Sequence, residues 1–208
     1  MKEHVGSVVL LDRTSGEHVA ADVFPELDDK NFQDIETLWR PMLQSRRAEF
    51  PSWEAAGGAN AQDSHWEWVE KAKEAERIMG RDTFAVECDG ETQGLMLIDV
   101  GYAKVPAQRG RELTYIELLA AAPWNRTKFV STPRYKGVGR VLVGTAISLS
   151  FDLGFNGRIG LHSLPQSASW YQEAGFTDVG YDTEKEMRYF EMSESDAAAF
   201  VGLKRSTL

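Results

Sequence analysis

The stretch from Pro133 to Phe155 places the tightest constraint on this chain. Arg134-Tyr135-Lys136-Gly137-Val138-Gly139 is a short basic loop with two glycines, and behind it Val141, Leu142, Ala146, Leu149, Ser150 and Leu153 recur at helical spacing. Without a Cβ, Gly137 and Gly139 let the backbone curl tightly and come close to a ligand. The first turn of the helix leaves N–H groups without intrahelical partners and carries the positive end of the dipole. With Arg134, Lys136 and Arg140 around it, this turn reads as a seat for a phosphate. It also reads as a plain helix entry. It is not a Walker loop, which needs Gly-Lys-Ser/Thr, and Leu142 stands where a dinucleotide fingerprint has its third glycine.

The order of elements around the loop separates those readings. Residues 7–12 and 17–23 are short β-prone runs flanking Thr14-Ser15-Gly16-Glu17 and predict a hairpin. From Phe32 onward, Ile35, Leu38, Trp39, Met42 and Leu43 mark one face of a helix, and Pro41, which has no N–H, predicts a kink or break near Arg40. Ala55 to Ala61 reads as a loop. A second helix is expected behind a cap at Asp63 or Ser64, with Trp66, Val69, Ala72, Ala75 and Met79 on its apolar side and Gly80 at its end. Trp39, Trp53, Trp66 and Trp68 either pack helices onto a sheet or wall a substrate. Thr83–Cys88 and Gly94–Val100 predict strands joined by the turn Asp89-Gly90.

After a polar, basic loop (Lys104, Gln108, Arg109, Arg111) comes a strand at Leu113–Ala121, then Pro123, the glycine loop and its helix. A strand at Arg158–His162, a short helix at Gln166–Ala174 closed by Gly175, a hairpin of Phe176–Tyr181 with Met187–Met192, and a helix capped by Ser193 complete the chain. This order predicts an α/β (α+β) domain with a mixed sheet and helices on its faces.

At 208 residues the chain is long enough for one well-cored domain. A net charge of −9 disfavours sequence-independent binding to nucleic acid or to an anionic membrane, which Lys and Arg mainly hold. Cys88 is the single cysteine, so no intramolecular disulfide or clustered-cysteine zinc site can form, and no His and carboxylate spacing suggests a metal. Val8-Val9-Leu10-Leu11 is too short for a signal-peptide core, and no stretch approaches the about 20 apolar residues of a membrane span. A cytoplasmic protein is expected.

The sequence resembles the GNAT-type N-acetyltransferase superfamily. Arg134-x-x-Gly137-x-Gly139 fits the Arg/Gln-x-x-Gly-x-Gly/Ala motif that opens the family's main helix. Tyr171 followed by Gly175-Phe176 is similar to a second family feature, and Tyr115 to Pro123 is similar to the family's central strand with its trailing proline. The match is best over 83–192, within a single domain of residues 1–208 that carries residues 1–30 as an N-terminal hairpin extension. The resemblance implies a mixed, mostly antiparallel central sheet flanked by helices.

It further implies acetyl-CoA, or another acyl-CoA, as cofactor. The pyrophosphate is expected on the backbone of Lys136, Gly137, Val138, Gly139 and Arg140, beside Arg134. The pantetheine arm is expected to pair, strand-like, around Leu119 and Ala121, where two neighbouring strands splay apart. Two departures stand out. Trp124 to Pro133 intervenes between Pro123 and the motif arginine, where the family has only a few residues. Ser163-Leu164-Pro165-Gln166 replaces an asparagine often found at the start of the helix that carries the tyrosine.

Acetyl transfer from a thioester to an amine needs a neutral amine, a stabilised oxyanion and a protonated leaving thiolate. The family position makes Tyr171 the candidate general acid, although a core tyrosine fits the same helix pattern. Glu117, four residues before Ala121 and on the same side by strand alternation, is a candidate general base through water. His162, whose ordinary pKa is near 6.5, is the rival base, and a structural strand-end histidine is the other reading. Cys88 is expected to be a buried, inert thiol. The expected acceptor is a small-molecule primary amine, and a homodimer is the family-based expectation. A non-catalytic acyl-CoA-binding regulator, or an enzyme acting on a protein or aminoacyl-tRNA, are the alternatives.

Overall fold

A computed structural model of the chain describes residues 5–48, 63, 65–100 and 111–202. The expected loop at Ala55–Ala61, Trp53 and the basic loop with Lys104 and Arg109 lie outside them. The strands are β1 Gly6–Asp12, β2 His18–Pro25, β3 Arg81–Cys88, β4 Glu91–Asp99, β5 Thr114–Ala121, β6 Tyr135–Lys136, β7 Ile159–Ser163, β8 Thr177–Asp182 and β9 Met187–Met192. The helices are α1 Asp29–Asp34, α2 Arg40–Ala48, α3 Trp68–Ala75, α4 Val138–Asp152, α5 Ala168–Glu173 and α6 Glu194–Phe200. Pairing is antiparallel at β1–β2, β1–β6, β2–β3, β7–β9 and β8–β9, and parallel at β5–β7. The mixed, mostly antiparallel sheet with flanking helices is thus the fold that forms. Among the described residues no helix is long and apolar enough to cross a membrane.

The chain divides into two compact units. The first comprises residues 1–97 and 118–142, and the second residues 98–117 and 143–208. In the first, the strand order is β6-β1-β2-β3-β4, followed by the C-terminal half of β5. The β3–β4 connection is a two-residue turn with positive φ at Asp89 (51°) and Gly90 (73°), the geometry that matches strand twist. Helices α2 and α3 and the turn that joins α1 to α2 bury Ile35, Trp39, Leu43, Trp68, Ala72 and Ala75 against Ala85, Leu95, Leu97, Ala120 and Ala122. Trp39 and Trp68 therefore pack helices onto strands.

One local expectation is met and another corrected in this unit. The regular α-helix is interrupted immediately before Pro41. A π-turn over Ile35–Trp39, in which the Arg40 N–H reaches the Ile35 carbonyl, carries α1 into α2 just ahead of the residue that lacks a donor. Helix α3 starts at Trp68, so Asp63 is not its cap, Trp68 rather than Trp66 leads its buried face, and Met79 lies beyond its end, 98% exposed.

In the second unit the order is the N-terminal half of β5, then β7, β9 and β8. Leu113, Tyr115 and Tyr189 form a core cluster there. Helix α6 is capped as the sequence suggests, with the Ser193 side chain accepting from the Asp196 N–H. Gly175, at φ 96°, follows the end of α5.

Candidate functional site

The glycine turn, the end of β5 and the start of α4 all belong to the first unit. Gly137 has φ 114°, a region closed to most L residues, and the Val141 N–H donates to its carbonyl at 2.9 Å. The N–H groups that precede Val141 in this first turn lie ahead of the intrahelical ladder. Gly94 on β4 lets the helix start close to the sheet. A Cβ there would stand 2.5 Å from Val138 Cγ1 and 3.1 Å from Leu142 Cδ1.

The inserted segment after Pro123 does not push the turn away from β5. The Arg134 N–H donates to the Trp124 carbonyl at 3.0 Å, so the two ends of the insertion meet. Gln93, fully buried on β4, fixes its base: its Oε1 accepts from Trp124 Nε1 and from Asn125 Nδ2, both at 2.9 Å. Asn125 Oδ1 in turn accepts the Tyr135 N–H at 2.9 Å. A lone glutamine in the apolar run of β4 was the only sequence signal for this staple.

Arg134 is half-buried beside the turn. Its guanidinium donates to Glu91 at 2.6 Å and to Asp89 at 3.2 Å and lies over the Tyr135 ring, locking the turn to the β3–β4 hairpin. Tyr135 donates its hydroxyl to Asp89, and burial foremost, with that bond, pushes its pKa up. Lys136 and Arg140 are exposed. Cys88 is buried, its thiol donates to the Ala20 carbonyl at 3.4 Å, and desolvation pushes its pKa up, as expected of an inert thiol.

The backbone from Thr114 to Ala122 turns its N–H groups from one neighbour to the other. Thr114 donates its N–H to Arg158 on the β7 side at 3.1 Å, whereas Ala122 donates its own to Gln93 on the β4 side at 2.8 Å. In a regular strand two N–H groups an even number of residues apart point the same way. Register with β7 ends at Ile116–Leu161, and by Ala122, just past the end of the strand, the N–H faces β4. Leu118 to Ala121 continue past Ile116 with no strand paired on the side away from β4 among the described residues.

Glu117, His162 and Tyr171 belong to the second unit. Glu117 is half-buried. The His162 side chain is 2% exposed, with Tyr115 Oη 2.7 Å from Nδ1 and Asp182 Oδ2 3.0 Å from Nε2. The neutral ring that satisfies both accepts from Tyr115 and donates from Nε2 to Asp182. Burial pushes its pKa below the ordinary 6.5, against the opposing pull of Asp182. Both ring nitrogens are therefore committed within the fold.

Tyr171 is buried on α5 between Phe176, at 5.3 Å between ring centroids, and Phe190, at 6.0 Å. Desolvation pushes its hydroxyl pKa far up, and no hydrogen-bond partner for that hydroxyl lies among the described residues. On β9, Phe190 is in register with Leu161 and Tyr189 with His162. Neighbouring strand residues face opposite ways, so Tyr171 packs on one face of this ladder and His162 on the other. Among the described residues no group of three or more His, Cys, Asp or Glu side chains could hold a metal ion.

No protein-family model and no curated protein sequence matches this chain. Solved structures match its fold. The GNAT domain of PAT from S. lividans superposes with a TM-score of 0.56 at 14% identity, covering 89% of this chain and 96% of that one. The PaiA N-acetyltransferase from Thermoplasma acidophilum, solved in complex with coenzyme A, gives a TM-score of 0.53 at 13% identity, covering 82% and 98%. The chain has the fold of the GNAT acetyltransferases.

Proposed function

We propose that the protein is an acetyl-CoA-dependent N-acetyltransferase that acylates a primary amine of a small molecule by direct attack in a ternary complex. The observation that carries this reading is a pairing within one unit: an α4 N-terminus opened by a left-handed glycine, and the edge of β5 left, among the described residues, without a strand beyond Ile116. The first is a phosphate seat and the second is a row of backbone groups that an extended amide-bearing arm can join. Gly137 to Arg140 would hold the pyrophosphate, and the backbone of Leu119 would hold the arm. Acetyl-CoA, when bound, supplies the activated acyl group as a thioester.

Tyr171 is assigned as the donor to the leaving sulfur. Its hydroxyl is protonated at neutral pH, as an ordinary tyrosine's is, so it can donate a hydrogen bond to the sulfur. Glu117, working through water, is proposed as the base, with His162, whose two nitrogens bond Tyr115 and Asp182, as its rival. The net charge of −9 favours a cationic amine over a nucleic acid as acceptor.

The test is a turnover screen that detects free thiol from acetyl-CoA over polyamines, amino acids, aminoglycosides and peptides. Thiol release with a small amine and not with peptides is the expected result. Release with peptides alone would redirect the assignment, and no release with any acceptor would remove it.

A further inference from the structure

Arg126 occupies a position that the proposed cofactor needs. The Ala122 N–H points to Gln93 on β4. A trans peptide unit holds its C=O opposite its N–H, so the Ala121 carbonyl points away from β4, along the open edge of the strand. Arg126 Nε donates to that carbonyl at 2.6 Å. Nη1 donates to Asp63 Oδ1 at 2.9 Å, Nη2 stands 2.7 Å from Oδ2 as an ion pair without hydrogen-bond geometry, and the cation lies 5.3 Å over the Phe129 ring. The Asp63 side chain is 6% exposed and that of Arg126 16%. This is a buried, hydrogen-bonded ion pair that does not give way easily.

We propose that Arg126, anchored by Asp63, competes with the acyl-CoA arm for the Ala121 carbonyl and so sets the affinity for the cofactor. This rests on the acyl-CoA reading above. A loop anchor needs only the ion pair; the bond from Nε goes to one of the two backbone positions from which the arm is expected to hang. While Arg126 stays, the arm has Leu119 but not the Ala121 acceptor. Affinity is thereby held below what the strand edge alone would give. The insertion that separates Pro123 from the glycine turn, and that carries Arg126, acquires a role in cofactor binding.

Two variants release the carbonyl without leaving a bare buried charge. In Arg126→Lys a single ammonium cannot hold Asp63 on both oxygens and the carbonyl at once. In Asp63→Asn with Arg126→Met both charges go. Coenzyme A is titrated into each folded protein by calorimetry, with thermal unfolding as the check on folding. One recovered hydrogen bond predicts a Kd roughly 2- to 10-fold lower in both variants than in the wild type. Binding by the wild type with equal or weaker binding by both variants would overturn the competition and leave the acyl-CoA reading standing. No binding by any of the three would overturn both.

Discussion

Gly94→Ala tests how tightly the start of α4 is held against the sheet. The new methyl would sit 2.5 Å from Val138 Cγ1, 3.1 Å from Leu142 Cδ1 and 3.4 Å from the Ala120 carbonyl oxygen. Val138 is 2% exposed and β-branched, so its methyl has no other rotamer to occupy cheaply, and Leu142 is fully buried. The helix start must shift outward, and overpacking of this kind costs about 1–3 kcal/mol. For a chain of this size that is a fall in Tm of about 2–4 °C per kcal/mol. Val138→Ala alone removes two methyl-sized groups and costs about 1.5 kcal/mol. The double variant lets the added methyl fill the space that Val138 vacates, so its loss should be smaller than the sum of the two. Urea unfolding of the four proteins gives the coupling directly. A Gly94→Ala protein as stable as the wild type, or losses that simply add, would show that α4 does not bear on β4 at this point.

Tyr171→Phe should lower acetyl-transfer turnover by about 10²–10⁴-fold with the fold retained, as steady-state kinetics and circular dichroism would show; unchanged turnover would make Tyr171 a packing residue. His162 is held below its ordinary 6.5 by burial, so the unfolded chain binds its proton first; its contribution is complete above about pH 6.5 and is lost as pH falls below that value. The slope of stability against pH between 7 and 5 should therefore flatten in His162→Gln, and an unchanged slope would contradict the buried neutral ring. Arg134→Gln should cost under about 1 kcal/mol in urea unfolding, because the guanidinium is 40% exposed and its pairs are screened. A much larger loss would mean that the link to Glu91 and Asp89 supports more than the turn.

What the sequence revealed was mostly local. The turn at Asp89-Gly90, the glycine entry to α4, the end of α5 at Gly175 and the Ser193 cap each depend on residues a few positions apart, and each forms as read. The misreadings arise where a distant partner decides. Asp63 has the chemistry of a helix cap, but its carboxylate is taken by Arg126, 63 residues away. Met79 fits the apolar period only if α3 extends that far, and the helix ends at Ala75. Strand β6 is two residues long and exists because Leu11 and Asp12 pair with it. His162 could be placed at a strand end from sequence, but Tyr115 and Asp182, which occupy its nitrogens, come from two other strands.

The most direct measurement of whether the α4 turn and the β5 edge form a coenzyme site is amide chemical-shift mapping during a titration with coenzyme A. Saturable, one-to-one shifts concentrated at Leu119 to Ala121 and Gly137 to Arg140 are the expected result. An absence of shifts, or shifts confined to other parts of the chain, would contradict the acyl-CoA site.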